Sequence, residues 1–371
     1  MDFSALFTSA EFSNLKVKNR LVMAPMTTIS GEQDGSFSSG EIKYLSQRAE
    51  DGLGMIITPA CYCHKSGHAF ERQVGCDRDE LVNSLSRVAE AINKHNAVSI
   101  LQIHHGGNAA KEIYTNQKPL APSAVRNRAG TSELPTAMTE DEILMIIEAF
   151  VKSAERAKKA GFKGVELHGA NTYLFQQFFS PFTNKREDRW GCSNKLPEKE
   201  RFINRTRFAQ EVLKAVRREV GDNYPIIYRI SPEEPEPDGY SVKDTIEFLN
   251  VIVPLGIDII HVSSWDYYKS LRNDISGGMN PTKKIKSAFP KVPVIGVGGI
   301  VMPQQAMQVL NDGIDLVALG KVLMLEKDWV KKVKSGDINS IRTKIMSEEE
   351  RQKLDIPDRM KEYSRRFFVL D

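Results

Sequence analysis

Eight short apolar runs alternate with helical patterns along this chain, and that alternation restricts the fold more than any other feature. The runs cover residues 20–26, 55–59, 98–103, 164–167, 225–230, 258–262, 292–297 and 315–319. They are nearly continuous in apolar residues, as strands covered on both faces must be. Helical patterns occupy 41–50, 79–95, 140–160, 197–220, 242–253, 281–288 and 303–310. The clearest is 140–160. Thr139 takes its N-cap position, Glu142 follows three residues later, and Gly161 lies just past the end. The count predicts an α/β fold of the (β/α)8 TIM-barrel type. A doubly wound sheet is the rival. It wants a Gly-rich turn after its first strand, and Ala24-Pro25-Met26-Thr27-Thr28 is not one.

The 371 residues exceed the roughly 250 of a minimal barrel. The excess has visible places. Residues 6–19 read as a hairpin that closes the barrel floor. Residues 104–139 and 171–196 are long insertions after the third and fourth strands, and loops of that length are usually functional. Residues 326–371 are charged and helical. We expect one domain over 1–371, with the barrel at about 20–330 and a helical tail at 331–371. The parts of the insertions at 109–137 and 182–195 are expected to act as lids.

Composition excludes several classes. Lys plus Arg number 51 and Asp plus Glu 48, a formal charge of +3. That gives no field to attract nucleic acid or a lipid surface. No apolar run reaches the length of about 18 residues that a membrane span needs. Met1-Asp2-Phe3-Ser4 lacks the start of a signal peptide. With only four cysteines, a cytoplasmic location is expected. Cys61-Tyr62-Cys63-His64, followed by His68 and Cys76, is spaced too tightly for a zinc knuckle. It reads as a loop with packed thiols and no metal.

Active sites of barrels form at the carboxyl ends of the strands. There the sequence places Ala24-Pro25-Met26-Thr27, Ala60, Gln102 followed by His104 and His105, His168, Arg229, Gly298-Gly299 and Gly320-Lys321. Glycines after the last two strands commonly build a phosphate site from backbone N–H groups. Lys321 adds a point charge. Arg229 ends an apolar strand, so an inward guanidinium needs an anionic partner, either a ligand or a protein carboxylate. Gln102 reads equally as a satisfied core amide or as a donor–acceptor pair for a planar ring. His168, Asn171 and Tyr173 form the most suggestive cluster. His168 and Asn171 each offer an N–H donor, and two converging donors can hold one carbonyl oxygen. Tyr173 offers a phenolic proton.

These residues resemble the Old Yellow Enzyme family of FMN-dependent oxidoreductases. Asn19-Arg20-Leu21-Val22-Met23-Ala24-Pro25-Met26-Thr27 looks like its opening strand, and Leu101-Gln102-Ile103-His104-His105-Gly106-Gly107 like its third. The stretch from Gly161 to Tyr173, with Gln176-Gln177-Phe178 beyond it, resembles its catalytic signature. Gly296-Val297-Gly298-Gly299-Ile300 and Leu316-Val317-Ala318-Leu319-Gly320-Lys321 resemble its phosphate loops. The resemblance implies that Ala24, Pro25, Met26, Thr27 and Ala60 line the isoalloxazine. It places Gln102 on the pyrimidine edge, Arg229 at N1 and C2=O, and Gly298, Gly299, Gly320 and Lys321 at the phosphate. It implies that NADH or NADPH reduces FMN and leaves. An α,β-unsaturated carbonyl compound, an enone or aldehyde, then binds to His168 and Asn171 and takes a proton from Tyr173. Two positions depart from the pattern. Lys321 stands where Arg is usual, which loses the bidentate fork. Asn108 stands where the third-strand motif often carries Arg.

Rival readings keep the fold and change the chemistry. The same barrel serves NADH oxidases, flavin reductases and amine-demethylating enzymes. Relatives that pass electrons to an iron–sulfur cluster are not expected, because no cysteine follows Cys192. A phosphate-binding lyase or isomerase would explain the Gly298 and Gly320 loops but not Gln102, Arg229 and Thr27 together. A non-catalytic binding protein would not need His168 and Tyr173. Arg365 and Arg366 read either as a solvated basic tail or as a contact to a second subunit in a homo-oligomer.

Overall fold

A computed structural model describes residues 2–127, 133–272 and 279–368. Part of the first expected lid, residues 128–132, and the end of the tail, 369–371, lie outside the described residues.

All eight expected strands form: β1 (Leu21–Met23), β2 (Met55–Ile57), β3 (Val98–His104), β4 (Gly164–Gly169), β5 (Ile226–Ile230), β6 (Ile259–Ser263), β7 (Val294–Val297) and β8 (Leu316–Leu319). Each pairs in parallel with the next, and β8 pairs with β1, so the sheet closes into a (β/α)8 barrel. The barrel helices follow in turn: α1 (Ser39–Asp51), α2 (Val82–Asn93), α3 (Glu140–Lys159), α4 (Glu198–Val220), α5 (Val242–Ile252), α6 (Pro281–Ala288), α7 (Pro303–Asn311) and α8 (Trp329–Ser335). The capping box expected at Thr139 and Glu142 is formed.

Most boundaries shift by a residue or two, and two of the shifts have clear local reasons. β1 stops at Met23 because Pro25 has no N–H for a ladder, although the Ala24 N–H still reaches Leu319 O at 2.9 Å. The helix expected from residue 79 opens with a tight turn, Asp79–Leu81, and becomes α-helical at Val82.

The barrel interior is apolar at its base. Val22, Met55, Ile57, Val98, Ile100, Ile227, Ile259, Ile295 and Leu316 pack there with Leu15 and Val17. The last two belong to the expected hairpin, Ala10–Phe12 against Leu15–Val17, which plugs the floor. Side chains alternate along a strand, so the same inward rows continue upward as Gln102 and His104 on β3, Glu166 and His168 on β4, Arg229 on β5 and His261 on β6. The interior thus changes from aliphatic to polar toward the carboxyl ends.

The tail is less solvated than its charge suggested. After α8 it forms short helices at Glu348–Gln352 and Asp358–Ser364. Arg351 is buried between them and donates to Ser364 Oγ and to Phe368 O, both at 2.8 Å. Arg365 pairs with Glu348 at 2.8 Å and also with Glu362, and the Arg366 guanidinium lies 5.2 Å from the Tyr363 ring centroid. Both arginines are therefore engaged within their own chain. Among the described residues, no helix is long and apolar enough to cross a membrane.

Candidate active site

The polar layer is a hydrogen-bonded set. Gln102 Nε2 donates to Glu166 Oε1 at 2.7 Å, and Glu166 Oε2 lies 2.6 Å from His261 Nδ1. Arg229 donates from Nη1 to Pro25 O at 3.3 Å, while its Nε is buried without a partner. Burial opposes the Arg229 charge, and the nearby Glu166 supports it. Of the two partners left open for Arg229, neither claims it fully. Glu166 supplies field nearby, and the guanidinium keeps donors, the buried Nε–H among them, for something else. Gln102 uses one amide hydrogen on Glu166 and keeps a second, with its oxygen, for another contact.

His168, Asn171 and Tyr173 follow one another at the carboxyl end of β4. His168 is the last but one residue of β4, and its ring centroid lies 5.1 Å from that of Tyr173. Burial, with Arg229 nearby, holds its imidazole well below the ordinary histidine pKa, so it is neutral at physiological pH. Asn171 and Thr172 take left-handed backbone, φ 58 and 68, which turns the chain sharply off the strand. Two serines fix that turn: the Asn171 N–H donates to Ser231 Oγ at 2.9 Å, and Ser263 Oγ donates to Asn171 Oδ1 at 3.0 Å. With Oδ1 anchored, the amide presents its NH2 group elsewhere. Burial raises the Tyr173 hydroxyl well above the ordinary phenol range, so it holds its proton.

The two insertions meet behind Tyr173 at one side chain. Gln177 Nε2 donates to Gly106 O at 3.1 Å, Asn108 Oδ1 at 2.8 Å and Thr172 O at 2.7 Å. Its Oε1 accepts from the Asn108 N–H at 3.0 Å. Asn108, where Arg was the family expectation, is thus a loop tie. Gly107 beside it has φ 59, and a Cβ there would collide with the Gln177 amide.

The expected cofactor residues line the same mouth. Gly298 has φ 142, and a Cβ there would lie 2.6 Å from Tyr267 N, so the loop is built for glycine. Around Gly299 and Gly320 the space is open: the nearest atoms to a Cβ are Trp265 O at 3.8 Å and Met26 Sδ at 3.5 Å. That is a cradle into which a phosphate could reach the backbone. Ala24 and Pro25 are buried, and Met26 and Thr27 are half-buried at the mouth. The Ala60 carbonyl is taken by Gln73 Nε2 at 3.0 Å. Lys321 is exposed, with Nζ 4.9 Å from the Phe367 ring centroid. A flat group with a phosphate arm and a polar ring edge suits this set. Unpartnered Arg229 Nε and the spare Gln102 amide face the one, and the glycine loops the other.

Several residues here carry no sequence signal. Glu166 and His261 sit inside strands and look like ordinary alternation, and their pairing spans 95 positions. Gln73 and Gln177 act through loops. His104 was visible beside Gln102 but had no assigned role. Its ring centroid is 4.4 Å from Tyr173 and 5.6 Å from His168. Cys61, Cys63, Cys76 and Cys192 are free, buried thiols.

Comparison with known proteins adds the chemistry. The model of the NADH:flavin oxidoreductase / NADH oxidase family matches residues 5–339. The chain is 34% identical over 363 residues to the probable NADH-dependent flavin oxidoreductase YqiG of Bacillus subtilis, covering 96% of this chain and 94% of that one. It is 36% identical over 361 residues to the NADH:fumarate oxidoreductase of Klebsiella pneumoniae, covering 94% of this chain but only 37% of that longer protein. Among solved structures, morphinone reductase in complex with tetrahydroNAD superimposes with a TM-score of 0.78 at 25% identity, covering 93% of each chain.

Proposed function

Because this chain belongs to the NADH:flavin oxidoreductase / NADH oxidase family, the Old Yellow Enzyme family, we propose that it is an FMN-dependent oxidoreductase that reduces the activated C=C bond of α,β-unsaturated carbonyl compounds. Bound FMN supplies hydride transfer, first from NADH or NADPH and then to the electrophilic carbon. The observation that carries the reading is that His168 and Tyr173, with ring centroids 5.1 Å apart, lie near the buried Arg229 guanidinium, with Asn171 fixed on the turn between them.

Each residue has a task its geometry supports. The Arg229 cation, with an unpartnered Nε donor, would hold the N1 and C2=O edge of the flavin and would favour negative charge there. Gln102 would hold the polar edge of that ring. Gly298, Gly299, Gly320 and Lys321 would hold the phosphate. Ala24, Pro25, Met26, Thr27 and Ala60 would flank the ring system, with the Thr27 hydroxyl near its carbonyl. His168 and Asn171 would donate to the substrate oxygen, and neutral donors suffice for that. Tyr173, kept protonated by burial, would deliver the proton to the α-carbon.

A second reading follows from the family description: oxidation of NADH with electrons passed to another acceptor. The test is an anaerobic panel with both nicotinamides. It should include enones, enals and the unsaturated acids suggested by the name of the Klebsiella relative. Nicotinamide-dependent consumption of at least one alkene is expected. Rapid NADH oxidation by oxygen with no alkene consumed would favour the second reading.

A further inference from the structure

The tautomer of His104 can be read from its neighbours. Gln73 Oε1 accepts from the Ala69 N–H at 2.9 Å and the Phe70 N–H at 3.3 Å. The amide is therefore oriented with Nε2 as its donor end, and Nε2 donates to Ala60 O at 3.0 Å. The same Nε2 lies 3.1 Å from His104 Nδ1, so Nδ1 must accept. The ring proton is then on Nε2. Burial holds this imidazole down to about 3, so the ring stays neutral and is an N–H donor at any working pH.

Among the described residues that donor has no acceptor. His104 is 0% exposed, and Nε2 is buried without a hydrogen-bond partner. An unmet buried donor is destabilising, so one that persists beside a proposed catalytic set calls for an explanation, and a ligand acceptor supplies one. The rings around it are Tyr173, His168 and Phe70, with centroids 4.4, 5.6 and 6.0 Å away. Two of these three belong to the proposed catalytic set, and His168 Nδ1 is likewise buried and unpartnered.

We infer that His104 Nε2–H is a further substrate donor, which meets a second oxygen on the group that activates the alkene. The assignment rests on the ene-reduction reading above and narrows it. His168 and Asn171 hold one oxygen, and His104 holds another. The site then prefers an alkene carrying two oxygens on one atom, as in a nitro or carboxylic ester group, over one carrying a single ketone oxygen.

The test uses oxidised holoenzyme without nicotinamide, so that binding is read apart from turnover. Nitrocyclohexene and cyclohexenone share ring and alkene but differ in oxygen count. Their dissociation constants are read from the shift in flavin absorbance. The wild type is expected to favour the nitro ligand. His104→Phe and His104→Leu, both without a donor, are expected to reduce that preference about tenfold, and His104→Gln, which keeps an N–H, to restore most of it. Retained flavin absorbance reports that a variant is folded. A preference unchanged in both donorless variants overturns the assignment, as does absence of any spectral shift with either ligand in the wild type. If both ligands bind and neither is reduced when NADH is added, the ene-reduction reading falls, and the His104 assignment is decided by the binding ratio alone.

Discussion

Nδ1 of His261 and Oε2 of Glu166 meet at 2.6 Å, and neither side chain has any solvent exposure. Burial holds the His261 imidazole below its ordinary pKa even with a carboxylate against it. The pair therefore acts as a carboxylate bonded to a neutral imidazole, with Gln102 on the other oxygen. Removing the carboxylate strands three partners at once: Gln102, His261 and the nearby Arg229 charge. Glu166→Ala is expected to lower stability by about 3–5 kcal/mol, the usual cost of breaking a buried charged set. Urea unfolding of the flavin-loaded protein measures this. A loss under about 1 kcal/mol would show that the layer is incidental.

Tyr173→Phe separates the two halves of the proposed reaction. Flavin reduction by nicotinamide needs no proton from this residue and should keep its rate. Reoxidation by an enone should slow by about 10²–10⁴-fold, the range for a lost general acid. Stopped-flow absorbance reads both steps. Equal slowing in the two would remove Tyr173 from the role.

Arg229→Met removes the buried cation beside the proposed ring edge. The variant should retain less FMN after gel filtration, and any retained flavin should have a more negative reduction potential. Flavin content and a dye-equilibrated potential check this. An unshifted potential would place Arg229 away from the flavin.

Lys321→Arg restores the fork that the family pattern usually supplies. FMN is expected to bind the variant several-fold more tightly, by gain of a second donor on the phosphate. Fluorescence titration of the apoprotein with FMN reports the change. Lys321→Ala should move affinity the other way.

Glu41 gives a pH signature. It accepts from Thr28 Oγ1, its Oε2 is unpartnered, and burial raises it from 4.5 to about 7. A raised carboxyl favours the protonated native state. Its contribution is whole below pH 4.5, falls as pH rises toward 7 and is gone above that. The loss is about 3 kcal/mol. Glu41→Gln should flatten this slope and be the more stable protein at pH 8. Thermal unfolding across that range decides it, and parallel curves for the two proteins would refute it.

The barrel was legible because each strand is covered on both faces. Residues 98–103 and 225–230 could hardly be anything but buried strands, and the Thr139 cap fixes α3 to its first residue. The rim residues His168, Asn171 and Tyr173 were legible because they lie within six positions of one strand end. Glu166 was not, since a carboxylate between Val165 and Leu167 gives no hint that its side chain points inward. Nor was the link from Gln73 to His104, where the recognition depends on a tautomer. Arg351 looked like one more surface charge in a charged tail. Only the packing of two short helices shows that it is enclosed.

Gln177 makes the two insertions a single mechanical body. One amide is shared by the turn that carries Tyr173 and by the loop leaving β3. A recombinant that imports either loop alone from a relative would leave that amide with part of its partners missing and would inherit a misplaced tyrosine. Chimeras of this barrel should exchange both loops together, and natural divergence in one should be accompanied by change in the other.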